Sequence, residues 1–347
     1  MEADTSRAAS DRGREDAAAA AGRPGWARRL WALAPAPVVT VSSAMALYYQ
    51  ALVVAPMHHH SFETFYAFDR VADARLVRAW TPRVVSRATA EWLGAHAPEL
   101  PKFRTALKRP KPEAVRIGKW LFVWFGLVGL VLVAAYRGQA VFHVLGTYAC
   151  VAFGYSVSTE KLRIYPWDMP ALAAFTLVVA LIHRRRSPWW ILLAIWAGMA
   201  FKETAVVLCL FPLALSLPWP KRGLYAALAL LGCALIRIGI DLGTANSAVG
   251  VTMAWGSFRD EGSLIAWNLR ELAQGYPLAV NGGTLLALLL LPASRRELVA
   301  FKAIAAAFVV GNFLFGMVSE FRIWFEMIPL ALYGLWASSR PASELPA

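Results

Sequence analysis

From about residue 32 onward the apolar residues of this chain run on in helix-length blocks, separated by short stretches of Arg, Lys, Asp, Glu and Pro. They do not alternate with polar ones as in a half-buried strand. A block of about 20 apolar residues crosses a bilayer as a helix, and shorter blocks cross by local thinning or by burial against neighbours. The pattern predicts ten spans, near residues 32–55, 119–136, 139–157, 169–183, 188–201, 204–218, 223–240, 278–293, 299–317 and 323–338. The expected fold class is all-α: a polytopic transmembrane helix bundle of about 10 spans, range 8–11, with an extracytoplasmic loop carrying interfacial helices.

Two domains follow from the same pattern. Residues 1–30 are expected to be a disordered cytoplasmic tail, because Ala, Arg, Asp, Glu and Gly dominate them and bury too little surface to offset ordering entropy. Residues 31–339 form the transmembrane helical domain, including an extracytoplasmic loop at 57–118. No clear cleavage site follows Val54, so the first block is expected to stay as an anchor and not to be removed as a signal peptide.

Composition sharpens this picture. The chain is 58% hydrophobic and only 16% charged, with 15 Trp, and its mean hydropathy is +0.49. A soluble chain of this length has more charge. The formal net charge of +13 could point to nucleic acid, but the Lys and Arg sit in short clusters between apolar runs and do not interleave with aromatics. That is the pattern of membrane topology. The partners expected are the lipid bilayer and no nucleic acid. Cys150, Cys209 and Cys233 each lie inside an apolar run, where cysteine behaves as a small hydrophobe and implies neither disulfide framework nor zinc site.

Orientation comes from the short loops. Arg23, Arg28 and Arg29 precede the first span, Arg184, Arg185 and Arg186 follow the fourth, Lys221 and Arg222 follow the sixth, and Arg295, Arg296 and Lys302 continue the alternation. Basic loops stay cytoplasmic, so both termini are expected inside a multi-pass protein of the plasma (inner) membrane. Residues 57–118 then lie outside although they hold Lys102, Arg104, Lys108, Arg109, Lys111 and Arg116; at roughly 60 residues such a loop escapes the charge rule. Parity requires 188–218 to cross twice, with a break at Lys202-Glu203-Thr204. Within the long loop, residues 80–95 place Trp80, Val84, Ala88 and Trp92 on one helical face, which fits either a helix lying flat at the membrane interface or one packed on the protein's own surface.

Under this topology ionisable residues gather at one face: Glu63, Asp69 and Arg70; Arg163 and Asp168; Lys202 and Glu203; Asp241; Glu320 and Arg322. Mutual ion pairing, Glu203 with Arg322 for instance, is one explanation. A polar cavity open outward is the other, with carboxylates able to act as a general base and cations able to hold phosphate. The runs Tyr165-Pro166-Trp167-Asp168-Met169-Pro170-Ala171-Leu172, Lys202-Glu203-Thr204-Ala205, and Glu320-Phe321-Arg322 with Pro329-Leu330 resemble bacterial multi-pass proteins of the glycosyltransferase C superfamily type, over roughly residues 37–338. The resemblance implies transfer of a sugar from a polyprenyl-phosphate-type donor, with an acidic residue of the first extracytoplasmic loop as base. Glu63 and Asp69 stand in the matching place, without the adjacent acidic pair of that superfamily. Arg70, Arg163, Asp168, Lys202, Glu203, Glu320 and Arg322 become the candidate substrate- and phosphate-binding residues. The rival class is a non-enzymatic transporter or assembly subunit in which the same residues form structural ion pairs or a permeation path.

Two further motifs compete for function. Ile238-Gly239-Ile240-Asp241-Leu242-Gly243-Thr244-Ala245-Asn246-Ser247 nearly matches the first phosphate loop of bacterial actin-like proteins, but that loop needs a soluble strand-turn-strand context which a preceding apolar run does not supply. His58-His59-His60 are consecutive in an extended stretch, where side chains diverge, so they fit an interfacial polar cluster better than a metal centre. No metal-ligand motif is seen, and a divalent metal requirement stays open.

Overall fold

The computed structural model of the chain describes residues 35–54, 84–100, 112–157, 167–243, 264–274, 296–315 and 321–339. Every regular element among them is helical: α1 Pro35–Val54, α2 Val84–His96, α3 Pro112–Tyr136, α4 Ala140–Val157, α5 Asp168–His183, α6 Pro188–Phe201, α7 Trp219–Gly243, α8 Leu264–Ala273, α9 Arg296–Phe315 and α10 Ile328–Ser338. Three 3₁₀ helices, Arg137–Gln139, Glu203–Ala214 and Phe321–Met327, stand between them. Four stretches are long and apolar enough to cross a membrane: Pro35–Val53, Ala114–Ser156, Trp219–Ile240 and Glu297–Leu314. The most exposed of these, Trp219–Ile240, turns Leu224, Leu231, Leu235 and Ile238 outward. So continuous an apolar exterior is what lipid, not water, covers.

Close helix approach depends on small residues. Along α3, Gly118 and Gly129 lie about three turns apart on one face. A Cβ added at Gly129 would fall on Thr40, and one at Gly118 on Tyr48, so α1 can lie against α3 only because both positions are bare. Gln50 Nε2 donates to the Ala152 carbonyl at 2.8 Å and ties the end of α1 to α4. α3 in turn packs on α5, which is covered by α6, α10 and the long 3₁₀ helix.

The predicted break at Lys202 is present. α6 ends there, the Lys202 backbone is extended at φ −152° and ψ 136°, and a separate helix begins at Glu203. The two run antiparallel: Lys202 reaches Asp168, the first residue of α5, while Ala214 and Leu215 lie beside Ile182 and Arg185 at its other end. Winding is where the expectation fails, since the segment expected as span 204–218 is a 3₁₀ helix over Glu203–Ala214. At a rise of ~2.0 Å per residue its 12 residues reach about 24 Å, against about 18 Å as α-helix. The 16 residues of α5 also reach about 24 Å. The tighter winding, with its larger rise per residue, lets a short segment match its neighbour end to end, and Pro212, which has no N–H to donate, removes one α-helical bond.

Other expected spans agree with observed helices to within a few residues, except that α3 begins at Pro112 and not near 119, and the expected 323–338 span is divided between Phe321–Met327 and α10. The expected span 278–293 and the tail 1–30 lie outside the described residues, as do His58-His59-His60. The phosphate-loop-like motif is corrected in kind: Ile238 to Gly243 form the end of helix α7. A phosphate loop between strands cannot start from a helix.

α2 also differs from expectation. It begins at Val84 and packs against α3 and α6. Its buried face is Ser86, Ala90 and Leu93, while Trp92, on the apolar face of the sequence pattern, is 59% exposed, as in the interfacial reading of that face. Small residues allow the close approach and the tryptophan covers the outside. Ser86 Oγ donates to the Phe201 carbonyl at 2.9 Å, satisfying one of the orphan acceptors at the end of α6.

Candidate functional site

One end of the bundle collects the ionisable residues. Asp168 opens α5, where a carboxylate faces the positive end of the helix dipole, and Lys202 closes α6, where a cation faces the negative end. Lys202 Nζ lies 2.5 Å from Glu326 Oε1 and 3.5 Å from Asp168 Oδ1. Thr204 Oγ1 donates to the same Glu326 oxygen at 2.9 Å. Lys202 is 4% exposed, Asp168 1% and Glu326 0%, so the three charges meet with little water between them. The short contact makes Glu326 the principal partner, and Asp168 sits at the outer limit of a hydrogen bond.

With both carboxylates ionised the group carries one excess negative charge. Among the described residues the second carboxylate oxygen of Glu326 has no hydrogen-bond partner. Burying charge is costly unless it is paired and hydrogen-bonded, so an arrangement of this kind persists only where geometry over-determines it. It draws on α5, α6, the long 3₁₀ helix and the short 3₁₀ helix before α10. Next to it Phe325 meets Tyr155 edge-on at 5.0 Å, which places the end of α4 at the same level. A further pair stands at this end, Lys119 with Glu99 at 2.5 Å, the lysine also donating to the Ala97 carbonyl at 3.3 Å.

Of the candidate residues named from sequence, Asp168 and Lys202 are brought together, and Glu203 stands beside them in the first turn of the 3₁₀ helix. The backbone of Arg322 belongs to the helix Phe321–Met327, and its side chain lies outside the described residues. Glu63, Asp69, Arg70, Arg163 and Glu320 lie outside them too. Among the described residues the cation with the clearest acidic partners at this end is Lys202. Its ammonium is held by the carboxylates of Glu326 and Asp168. Glu326 was missed. It sits in Ile323-Trp324-Phe325-Glu326-Met327-Ile328, and a lone carboxylate inside an apolar run was the signal that could have found it.

Among the described residues no group of three or more His, Cys, Asp or Glu side chains could hold a metal ion. No family model matches the chain, no curated protein matches it, and no solved structure matches it.

Proposed function

We propose that this membrane protein crosses the bilayer about ten times with both termini cytoplasmic, and transfers a sugar from a polyprenyl-phosphate-type donor to an acceptor at its extracytoplasmic face. The observation that carries the reading is the Lys202–Glu326–Asp168 cluster, which fixes the end of the bundle flanking the segment 57–118. The ends of α1 and α4 joined by Gln50, the α2 helix on Phe201, and the Lys119–Glu99 pair all belong to that end. In this reading Asp69 or Glu63 is the base. Arg70, Arg163 and Arg322 hold the donor phosphates, and the buried cluster positions the segments that carry them, with Glu203 and Glu320 at its margin.

The test is transfer from a labelled polyprenyl-phosphate sugar by the purified full chain in proteoliposomes. Asp69→Asn keeps shape but cannot accept a proton, and loss of a general base costs about 10² to 10⁴ in rate. Glu63→Gln is the comparison. Should both variants transfer normally, the base assignment fails; should the unmodified chain transfer from none of a panel of donors, the enzyme reading fails. Sidedness is tested separately by labelling intact cells from outside, where Ala97→Cys is expected to react and Ser187→Cys to be protected.

One observation favours a second reading. A buried carboxylate oxygen without a partner, as in Glu326, suits a residue that exchanges a proton or cation during transport. That reading requires substrate-dependent proton uptake by proteoliposomes, lost in Glu326→Gln.

A further inference from the structure

At the end of the bundle opposite Lys202 lies a cavity of about 350 Å³ whose lining includes Arg185, Arg186, Ser187, Ser216 and Glu297. The three consecutive arginines that precede α6 are not equivalent. Arg184 is engaged, its guanidinium donating to the Ala134 carbonyl at 2.8 Å. Arg185 and Arg186 line the cavity, and among the described residues neither forms an ion pair with an acidic side chain. Glu297, the one acid in the lining, accepts a hydrogen bond from Tyr333 O–H at 2.8 Å.

The turn itself puts Arg185 where it is. Arg186 N–H bonds to the Leu181 carbonyl and Arg185 N–H to that of Ile182, both at 2.9 Å, which is the hydrogen-bond pattern of a Schellman cap closing α5. Such a cap needs a left-handed residue, usually glycine, yet Arg185 occupies it at φ 49°. Cation crowding adds to the local potential: burial, then Arg137 and Arg186, lower the Arg184 guanidinium from its ordinary range.

The surroundings supply the other half of the site. Trp189, Trp190 and Trp219 are 57%, 61% and 66% exposed beside it, at the first turns of α6 and α7. Exposed tryptophans beside arginines mark the headgroup level of a bilayer. Two free guanidinium forks and two hydroxyls around one cavity match the oxygens of a phosphate better than those of any neutral group.

We propose that this cavity binds a phosphate group, gripped by Arg185 and Arg186, with an anionic phospholipid headgroup as its natural source. A soluble phosphate is the other source of the same chemistry, and the flanking tryptophans favour the lipid. The site lies at the opposite end from the proposed sugar transfer and stands whether or not that reading holds.

The experiment uses delipidated, purified full-length protein in detergent. Native mass spectrometry follows binding of phosphatidylglycerol and phosphatidylcholine, and a parallel titration uses inorganic phosphate alone. The expected result is selective retention of phosphatidylglycerol, weakened about 10- to 30-fold in Arg185→Ala/Arg186→Ala. Arg185→Gly is the second variant: glycine suits the left-handed position, so this chain folds while losing one of the two forks, and its binding should fall severalfold. Binding of inorganic phosphate that is weakened by both variants, with neither lipid retained, keeps the site and assigns it to soluble phosphate. Equal retention of phosphatidylcholine, or unchanged phosphatidylglycerol binding in folded Arg185→Gly and the double variant, overturns the proposal.

Discussion

The two ends of the bundle use the same residue types in opposite ways. At one end Lys202 is buried between carboxylates supplied by residues 34 and 124 positions away. At the other, Arg222 spends its guanidinium group on backbone carbonyls close by in the chain, Arg184 reaches the Ala134 carbonyl of α3 50 positions away, and Arg185 and Arg186 remain exposed. The first arrangement joins segments through buried charge and is costly to disrupt; the second spends cations singly on helix-end carbonyls and leaves charge over for the outside. A cation at a helix terminus therefore says little by itself. Whether its partner is a buried acid or a backbone carbonyl decides what it does.

The largest effect should come from breaking the remote pairing. Lys202→Met leaves two carboxylates buried without their cation and is expected to cost about 3–5 kcal/mol, read as lower yield and lower thermal stability in detergent. Adding Glu326→Met to the same chain should recover much of the loss, because a buried charge and its partner then leave together. A double variant no more stable than Lys202→Met would show that the cluster does not act as a pair.

Next comes Arg222, which is 2% exposed and donates to the carbonyls of Leu217 at 2.5 Å and Leu213 at 3.3 Å. Arg222→Ala strands those acceptors and should cost about 1–3 kcal/mol in the same thermal measurement. Arg184→Ala removes one half-exposed bond and should cost about 1 kcal/mol or less. Arg185→Gly is expected to reverse the sign: relief of the left-handed backbone outweighs the added chain entropy and stabilises by about 0.5 kcal/mol. A destabilised Arg185→Gly would mean that the arginine makes a structural contact at this turn.

Much of the fold was legible because hydropathy and charge both act locally. The apolar runs gave α1, α4, α5 and α6 nearly to the residue, and basic clusters at both ends of 188–218 forced the reversal at Lys202. Three things were not legible, each for a physical reason. Hydropathy is blind to how a helix winds, so the 3₁₀ form of Glu203–Ala214 left no mark beyond Pro212. Helical spacing finds the apolar face of Trp92 on α2 but not its setting, and only the approach of α3 and α6 shows that Ser86, Ala90 and Leu93 are the residues buried. The Lys202–Glu326 contact joins residues 124 positions apart, and nothing near either residue specifies the other. Of the candidate site, the meeting of Asp168 and Lys202 is legible only as a shared level in the membrane.

The 3₁₀ helix Glu203–Ala214 is fastened at both extremities, by Lys202 and Thr204 to Glu326 and by Arg222 to Leu213 and Leu217. Rewound as α-helix, its 12 residues would shorten by about 6 Å and turn by roughly 240° from end to end. Neither change is open to it while both fasteners hold, so it serves as a tie rod that sets the spacing of the bundle's two ends at this point. Loosening Lys202 frees the rod's length at its far extremity as well, and faster hydrogen exchange at Ala214 to Leu217 in Lys202→Met would register it. That result would mean that a disturbance among the buried acids at one end reaches the arginine-lined cavity at the other.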